Sequence, residues 1–325
     1  MPVKRAAAFS GGGAKGMVQV GNLEVVLQEH NVQFDIVGGI SVGALAAAMV
    51  AQNKFNRYKD LFFSLREHDI FTGSMTSPVN LMRIAFGRNH IYNNSPLWEL
   101  IQQEIDPREF AIDVKIGVVD LISGKFLSYD YRHEKREVEV IVDGSEVLRV
   151  ASVDDFVNAY RLAVLASTAI PVTFPPVEMG ENLLVDGGVH MISPLGNLID
   201  EEPTEVYVFN CESQHPQTIS PGKKNILQVG SRSLELLLNR IVISDIREFK
   251  RINKNVKEAG NAGVILHNEK GKPYKHYRSF LFEPAIEMGD TLDFSERTQQ
   301  MRYDHGVEIA KEVMKKKRRS GRGGK

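Results

Sequence analysis

The chain has one cysteine, Cys211, among 325 residues. A single thiol excludes intrachain disulfides and cysteine-based metal clusters, and it fits a reducing compartment. Cys211 reads as a packed residue at a strand end. Long hydrophobic runs are also missing. Crossing a bilayer takes about 20 consecutive apolar residues, whereas Ala44 to Ala51 is short, mostly alanine and suited to a buried helix. No segment is expected to span a membrane. The start, Met1 to Arg5, has basic residues, but only Ala6 to Phe9 follow before a run of glycines. That stretch is too short for the apolar region of a signal peptide, so a cytoplasmic location is expected, with membrane contact at most peripheral.

Net charge is nearly absent, at −1, and no specific nucleic-acid partner is expected. The total conceals a basic end. Lys315, Lys316, Lys317, Arg318, Arg319, Arg322 and Lys325 fall within the last eleven residues and leave the rest of the chain at −8. Residues 315–325 read as a solvated, disordered tail, with attraction to anionic lipid or to nucleic acid as the alternative. What is present otherwise is ordinary globular composition, 42% hydrophobic and 25% charged, enough for a core in one α/β unit.

Two glycine-rich elements stand close together at the front: Ser10-Gly11-Gly12-Gly13-Ala14-Lys15-Gly16 and Gly39-Ile40-Ser41-Val42-Gly43. Each follows a short apolar run and reads as a turn from a buried strand into a helix. The resulting strand–helix alternation, Val3–Phe9, Lys15–His30, Phe34–Gly38 and Val42–Gln52, predicts a mainly parallel sheet with helices on its faces. Residues 53–105 read as helices without strands. The segment is a candidate lid, and its large apolar residues, among them Phe62, Phe63, Met75, Leu81, Met82 and Phe86, either pack on the sheet or form a lipid-binding surface or acyl pocket. Strands are expected at Val114–Leu121, Lys125–Tyr131, Val138–Val142, Val147–Ala151, Leu183–Asp186 and Glu205–Asn210, with a helix at Asp154–Ala166. From Asn225 the chain reads as largely helical, apart from a strand at Ser279–Pro284.

A serine hydroxyl needs a base and a stabiliser for the charge on the attacked carbonyl. Gly39-x-Ser41-x-Gly43 holds a serine on a tight turn, with a helix of small residues behind it that is able to approach the sheet closely. Alone the motif is weak, and a structural turn with a capping serine is its bland alternative. The Gly11–Gly16 run fits the dinucleotide fingerprint poorly, because Asp35 opens the second strand instead of closing it. It fits a P-loop poorly too, since Lys15 precedes Gly16. A cradle of backbone amides for an oxyanion is the better reading. Lys15 is a candidate contact for a substrate phosphate, or else a solvated or carboxylate-paired lysine. Asp186 ends a strand before Gly187-Gly188 and is the preferred base; if it acts directly on a serine it is expected to be buried. His190 is expected to be structural, although a Ser-Asp-His order is formally available.

These residues, with Ala166 to Pro171 and Phe174-Pro175-Pro176 ahead of Asp186, resemble the patatin-like phospholipases. The resemblance covers roughly residues 3 to 310, including Gly289 to Phe294 and the helix after it. It implies a three-layer α/β/α fold with a mainly parallel sheet, and an acyl hydrolase domain over residues 1–314. It carries a Ser-Asp dyad onto Ser41 and Asp186 and an oxyanion hole onto Gly11, Gly12 and Gly13, with Gly16, Gly39, Gly43, Gly187 and Gly188 as motif support. Lys15 stands where many members have arginine, which keeps the charge and loses the bidentate fork. His190-Met191-Ile192 replaces the Asn-containing run many members carry. The implied activity is hydrolysis of phospholipid or other glycerolipid esters through an acyl-enzyme, with no metal or cofactor. The rival expectations are a non-catalytic lipid-binding or regulatory protein on the same fold and a nucleotide-binding module built on Gly11 to Gly16.

Overall fold

The computed structural model describes residues 3–73, 77–191, 193–213, 222, 226–268 and 271–322. Met75, Ile192, Asn225 and Lys325 lie outside the described residues, as do the side chains of Leu81, Arg319 and Arg322.

Strand β1 (Arg5–Phe9) opens the chain and a 3-10 turn at Gly13–Gly16 leads into α1 (Met17–Leu23), whose end widens into a π-helix, Glu24–Glu29. Then come β2 (Ile36–Gly39) and α2 (Val42–Ala51). The next stretch is helical, with α3 (Phe55–Ser64), α4 (Glu67–Ile70), α5 (Pro78–Ala85) and α6 (Ser95–Glu104). A meander follows, β3 (Asp113–Asp120), β4 (Phe126–Arg132), β5 (Glu137–Val142) and β6 (Glu146–Ser152), and then α7 (Val153–Ser167). Ser152 caps α7, its side chain accepting from the Asp155 N–H, with Asp154 and Asp155 in the first turn where the helix dipole favours them. The short strands β7 (Val177–Met179) and β8 (Asn182–Asp186) precede α8 (Leu195–Ile199), β9 (Glu205–Phe209), α9 (Ile226–Asn261), β10 (Arg278–Phe282) and α10 (Glu296–Arg322).

The strands form one ten-stranded sheet in the order β10-β9-β1-β2-β3-β4-β5-β6, with β8 pairing β3 and β7. From β10 to β3 every pairing is parallel; from β3 to β6 every pairing is antiparallel. Alternation in β1 shows why the parallel part is buried twice. Ala7 and Phe9 pack into the core beneath α1, α2 and α10, while Ala6 and Ala8 pack against Leu195 and Leu198 of α8 and Val242 and Ile246 of α9. The result is three layers, α/β/α.

The site is prepared by how β2 and β8 share β3. β2 runs parallel to β3 and stops with Gly39 opposite Ile116; β8 runs antiparallel and stops with Asp186 opposite Val118. The two strand ends therefore meet head to head along one edge of β3, with Gly117 at the seam.

One feature differs from the sequence expectation. Helix α10 continues through the basic end to Arg322. Tertiary contacts oppose the local charge repulsion there: Lys317 Nζ lies 2.9 Å from Glu205 Oε2, bonds the Tyr207 hydroxyl, and sits 4.5 Å from the centre of the Phe280 ring. The helices of residues 53–105 send Phe55, Tyr58, Phe62, Leu97, Ile101 and Ile105 into the core, while Val79, Met82 and Phe86 stay exposed.

Candidate active site

Ser41 sits between β2 and α2 with φ 58° and ψ −131°, a conformation costly for a residue with a side chain. The glycines on either side make it attainable. A Cβ on Gly39 would lie 1.9 Å from the Gly43 carbonyl oxygen, and one on Gly43 would lie 2.2 Å from that of Phe9. The Ser41 N–H donates to Ser167 Oγ at 3.0 Å, and the Ser167 hydroxyl donates to the Gly117 carbonyl at 2.7 Å. Ser167, at the end of α7, thereby ties the serine turn to the seam in β3. Sequence reading saw Ser167 only as part of a motif, because its partners are 126 and 50 residues away.

Asp186 is 2% exposed. Its Oδ1 accepts from the Gly188 N–H at 2.8 Å, and its own N–H donates to Ala169 O at 3.1 Å. Burial pushes its carboxyl up to about 7, against the opposing pull of the Gly188 amide and the Ser41 side chain, both of which favour the charged form. Ser41 and Asp186 line the same cavity. His190 packs obliquely on Phe126, with ring centres 5.6 Å apart, and is not among the residues lining the cavity that holds Ser41 and Asp186.

Gly11, Gly12 and Gly13 line that same cavity. Gly13 has φ 53°, and a Cβ there would lie 2.5 Å from Thr291 O, so only glycine fits. The turn is fixed by the Lys15 N–H donating to Gly12 O and the Ala14 N–H donating to Thr291 O. Among the described residues, the three glycine amides donate to no acceptor. Thr291 belongs to a loop held by Arg302, which is fully buried on α10 and donates to the carbonyls of Met288, Asp290 and Asp293 at 2.8, 2.7 and 2.7 Å. Nothing in the sequence distinguishes this arginine from its solvated neighbours.

The cavity encloses about 350 Å³. Ile170 and Thr173 form one wall, Asp290, Thr291 and Leu292 another, and α9 the roof through Gln228, Ser231, Arg232, Leu234, Glu235, Leu238, Asn239 and Val242. No residue of 53–105 is among those lining it.

The family model described as patatin-like phospholipase matches residues 7–199, more than half of the chain, and spans the glycine loop, Ser41 and Asp186. The chain belongs to the patatin-like phospholipase family. It is 29% identical over 210 residues to a cGAMP-activated phospholipase of Escherichia coli (strain TW11681), covering 59% of this chain and 54% of that protein. The chain thus spans about half the length of that curated relative.

In this patatin-like chain the lysine of the glycine loop is turned inward. Lys15 is 4% exposed, and its Nζ lies 2.8 Å from Glu212 Oε1 and 3.9 Å from Glu235 Oε1. Asn239 Nδ2 donates to the other Glu212 oxygen at 3.1 Å. The ammonium is paired with a partly buried carboxylate, the second of the two roles expected for it. Cys211, beside it, is fully buried, and burial pushes its thiol up to about 12, as suits a packing residue. Among the described residues, no group of three or more His, Cys, Asp or Glu side chains converges to hold a metal, and no helix is long and apolar enough to cross a membrane.

Proposed function

We propose that the protein is a serine-dependent lipid acyl hydrolase of the phospholipase A or lysophospholipase type, acting at a membrane surface. The observation that carries this reading is the convergence of Ser41, buried Asp186 and the amides of Gly11 to Gly13 on one cavity. Ser41 Oγ attacks the ester carbonyl carbon while Asp186 takes the hydroxyl proton. The tetrahedral oxyanion receives hydrogen bonds from the glycine amides, which are preorganised because the loop is already pinned to Thr291. Collapse breaks the ester C–O bond, and Asp186 returns its proton to the leaving alcohol. Water then attacks the acyl-enzyme with Asp186 as base, releasing the fatty acid and restoring Ser41. The steps balance with water and groups of this chain alone.

A carboxyl near 7 suits this role, because the base must be ionised to accept a proton and must also give it back. Mass spectrometry of products from mixed phospholipids tests the reading. Wild type is expected to release fatty acid and lysolipid, and Ser41→Ala to release neither. Unchanged hydrolysis by Ser41→Ala would remove Ser41 from the mechanism and leave a lipid-binding role for the cavity.

A second reading concerns control. The relative's name describes activation by a cyclic dinucleotide, and this chain has a second cleft of about 630 Å³ that shares no lining residue with the first. Lys115, Arg132, Lys272, Asn197, Asn268 and Tyr274 line it beside Asp130, Asp200 and Glu201; Lys115 and Arg132 are paired with Asp130 and Glu201, which leaves Lys272 as the cation for a phosphate and Asn197, Asn268 and Tyr274 for base edges and a base face. Thermal unfolding with cyclic dinucleotides is expected to show stabilisation that linear dinucleotides do not give. Equal melting temperatures with and without cyclic dinucleotides would count against this control.

A further inference from the structure

The first half of α9 carries an exposed apolar row. Over the cavity it turns Gln228, Ser231, Arg232, Glu235 and Asn239 inward beside Leu234, Leu238 and Val242. Toward solvent it turns Ile226, Val229, Leu236 and Leu237, which are 86, 52, 42 and 62% exposed. The second half has ordinary polarity, with Val242, Ile243 and Ile246 buried and Arg247, Glu248 and Arg251 exposed. At 3.6 residues per turn, the apolar row of the first half continues along the same face into Arg240, Arg247 and Arg251. Val172, 44% exposed, lies in the chain between Ile170 and Thr173, which line the cavity.

We propose that this outer face of α9 docks the protein on an anionic lipid bilayer. The apolar row enters the acyl boundary and the arginines meet lipid phosphates. The inference rests on the phospholipase reading above and names the surface by which that site meets its substrate. Charge favours a bilayer as the occupant. Helix α9 carries seven Lys and Arg against four Asp and Glu, in a chain whose remainder outside the basic end is acidic. Among the described residues, Arg240 and Arg247 form no ion pair, while Arg251 reaches Glu248 at 3.5 Å. A second copy docked through the same face would set these arginines against the partner's apolar row or against its arginines, and neither arrangement compensates their charge. A bilayer offers apolar depth and anionic phosphate side by side. Because the row lies on the back of the roof, docking sets the cavity beside the lipids it draws from.

The test uses the full chain carrying Ser41→Ala, so that vesicles survive the measurement, in co-sedimentation with neutral phosphatidylcholine vesicles and with vesicles containing phosphatidylglycerol. The expected result is binding to the anionic vesicles that falls at least about tenfold on adding Val229→Asp and Leu237→Asp, and severalfold on adding Arg240→Gln and Arg247→Gln. On the Ser41 background, Val229→Asp with Leu237→Asp is expected to hydrolyse a soluble short-chain ester at the wild-type rate, which shows that the variant is folded. Absence of vesicle binding by the Ser41→Ala chain, or equal binding after the apolar substitutions, would overturn the proposal. So would gel filtration showing that those substitutions split a dimer while vesicle binding is unchanged. If wild type hydrolyses no ester yet the row still governs vesicle binding, the phospholipase reading falls and the docking surface stands.

Discussion

The Ser167 hydroxyl bridges the Ser41 amide and the Gly117 carbonyl, accepting from the first at 3.0 Å and donating to the second at 2.7 Å. Gly117 is the residue of β3 between the partners of Gly39 and Asp186, so one buried hydroxyl couples the serine turn to the seam where the two strand ends meet. Ser167→Ala leaves a buried N–H and a buried C=O without their partner, which costs about 1–3 kcal/mol. The expected outcome is a lower unfolding midpoint with kcat reduced about tenfold, because a serine held in strained backbone relaxes when its tether goes. Denaturant unfolding and ester kinetics check both; an unchanged kcat would show that the turn holds itself.

Asp186→Asn separates catalysis from stability. Burial raises the native carboxyl to about 7, above its ordinary value of 3.8, so the native state holds a proton that the unfolded chain has released between those limits. Native stability of the wild type therefore falls as pH rises from about 4 to about 7, and the loss persists above that. Asparagine does not titrate. The variant is expected to be inactive and, at pH 8, more thermally stable than wild type, with the difference shrinking as pH is lowered toward 4. A difference in melting temperature that does not change with pH would contradict the burial argument.

Much of this site was legible in the sequence. The serine turn and the glycine loop announce themselves because glycine spacing encodes backbone geometry locally, and Asp186-Gly187-Gly188 does the same for a strand that ends on an acid. What was not legible depends on partners distant in the chain. The spacing in Leu183–Gly188 marks a strand but not its direction, and β8 reaches Ser41 by running antiparallel to β3. Lys15 meets Glu212, 197 residues away, and a lone lysine in a glycine loop does not disclose that. Periodicity marks α9 as a helix, yet in its first half Ile226, Val229, Leu236 and Leu237 face solvent while polar Gln228, Ser231, Glu235 and Asn239 line the cavity with Leu234 and Leu238, so pattern alone does not pick the buried face. The basic end reads as solvated because the pairing of Lys317 with Glu205 is tertiary.

Arg302 acts on the Gly11–Gly13 loop at one remove. It donates to three carbonyls of residues 288–293, and Thr291 in that stretch receives the Ala14 N–H. Arg302→Met is expected to destabilise the fold by about 1.5–3 kcal/mol or more, since charged hydrogen bonds are lost. It should also lower kcat with little change in KM, because misplacing amide donors weakens the transition state more than the ground state. A rise in KM alone would show that the loop binds substrate without shaping the oxyanion site.

Lys15→Met probes the inward ion pair. Lys15 is buried and Glu212 partly so, and removing the lysine leaves that carboxylate with the Asn239 amide as its hydrogen-bond donor, at a cost of up to about 3 kcal/mol. The expected outcome is a large drop in melting temperature with an unchanged KM ratio between a phospholipid and a neutral glyceride. Selective loss of phospholipid affinity would place Lys15 on the head group instead.

The proposed dyad is tested most directly by the rate at which a fluorophosphonate labels the protein, followed by intact mass and peptide mapping across pH. The account predicts a single adduct on Ser41, formed at a rate that rises with pH and levels off above about 7, where Asp186 is ionised. In Asp186→Asn that rate is expected to fall by about 10²–10⁴, the contribution of a positioned general base. An adduct on another residue, or equal labelling of wild type and Asp186→Asn, would contradict it.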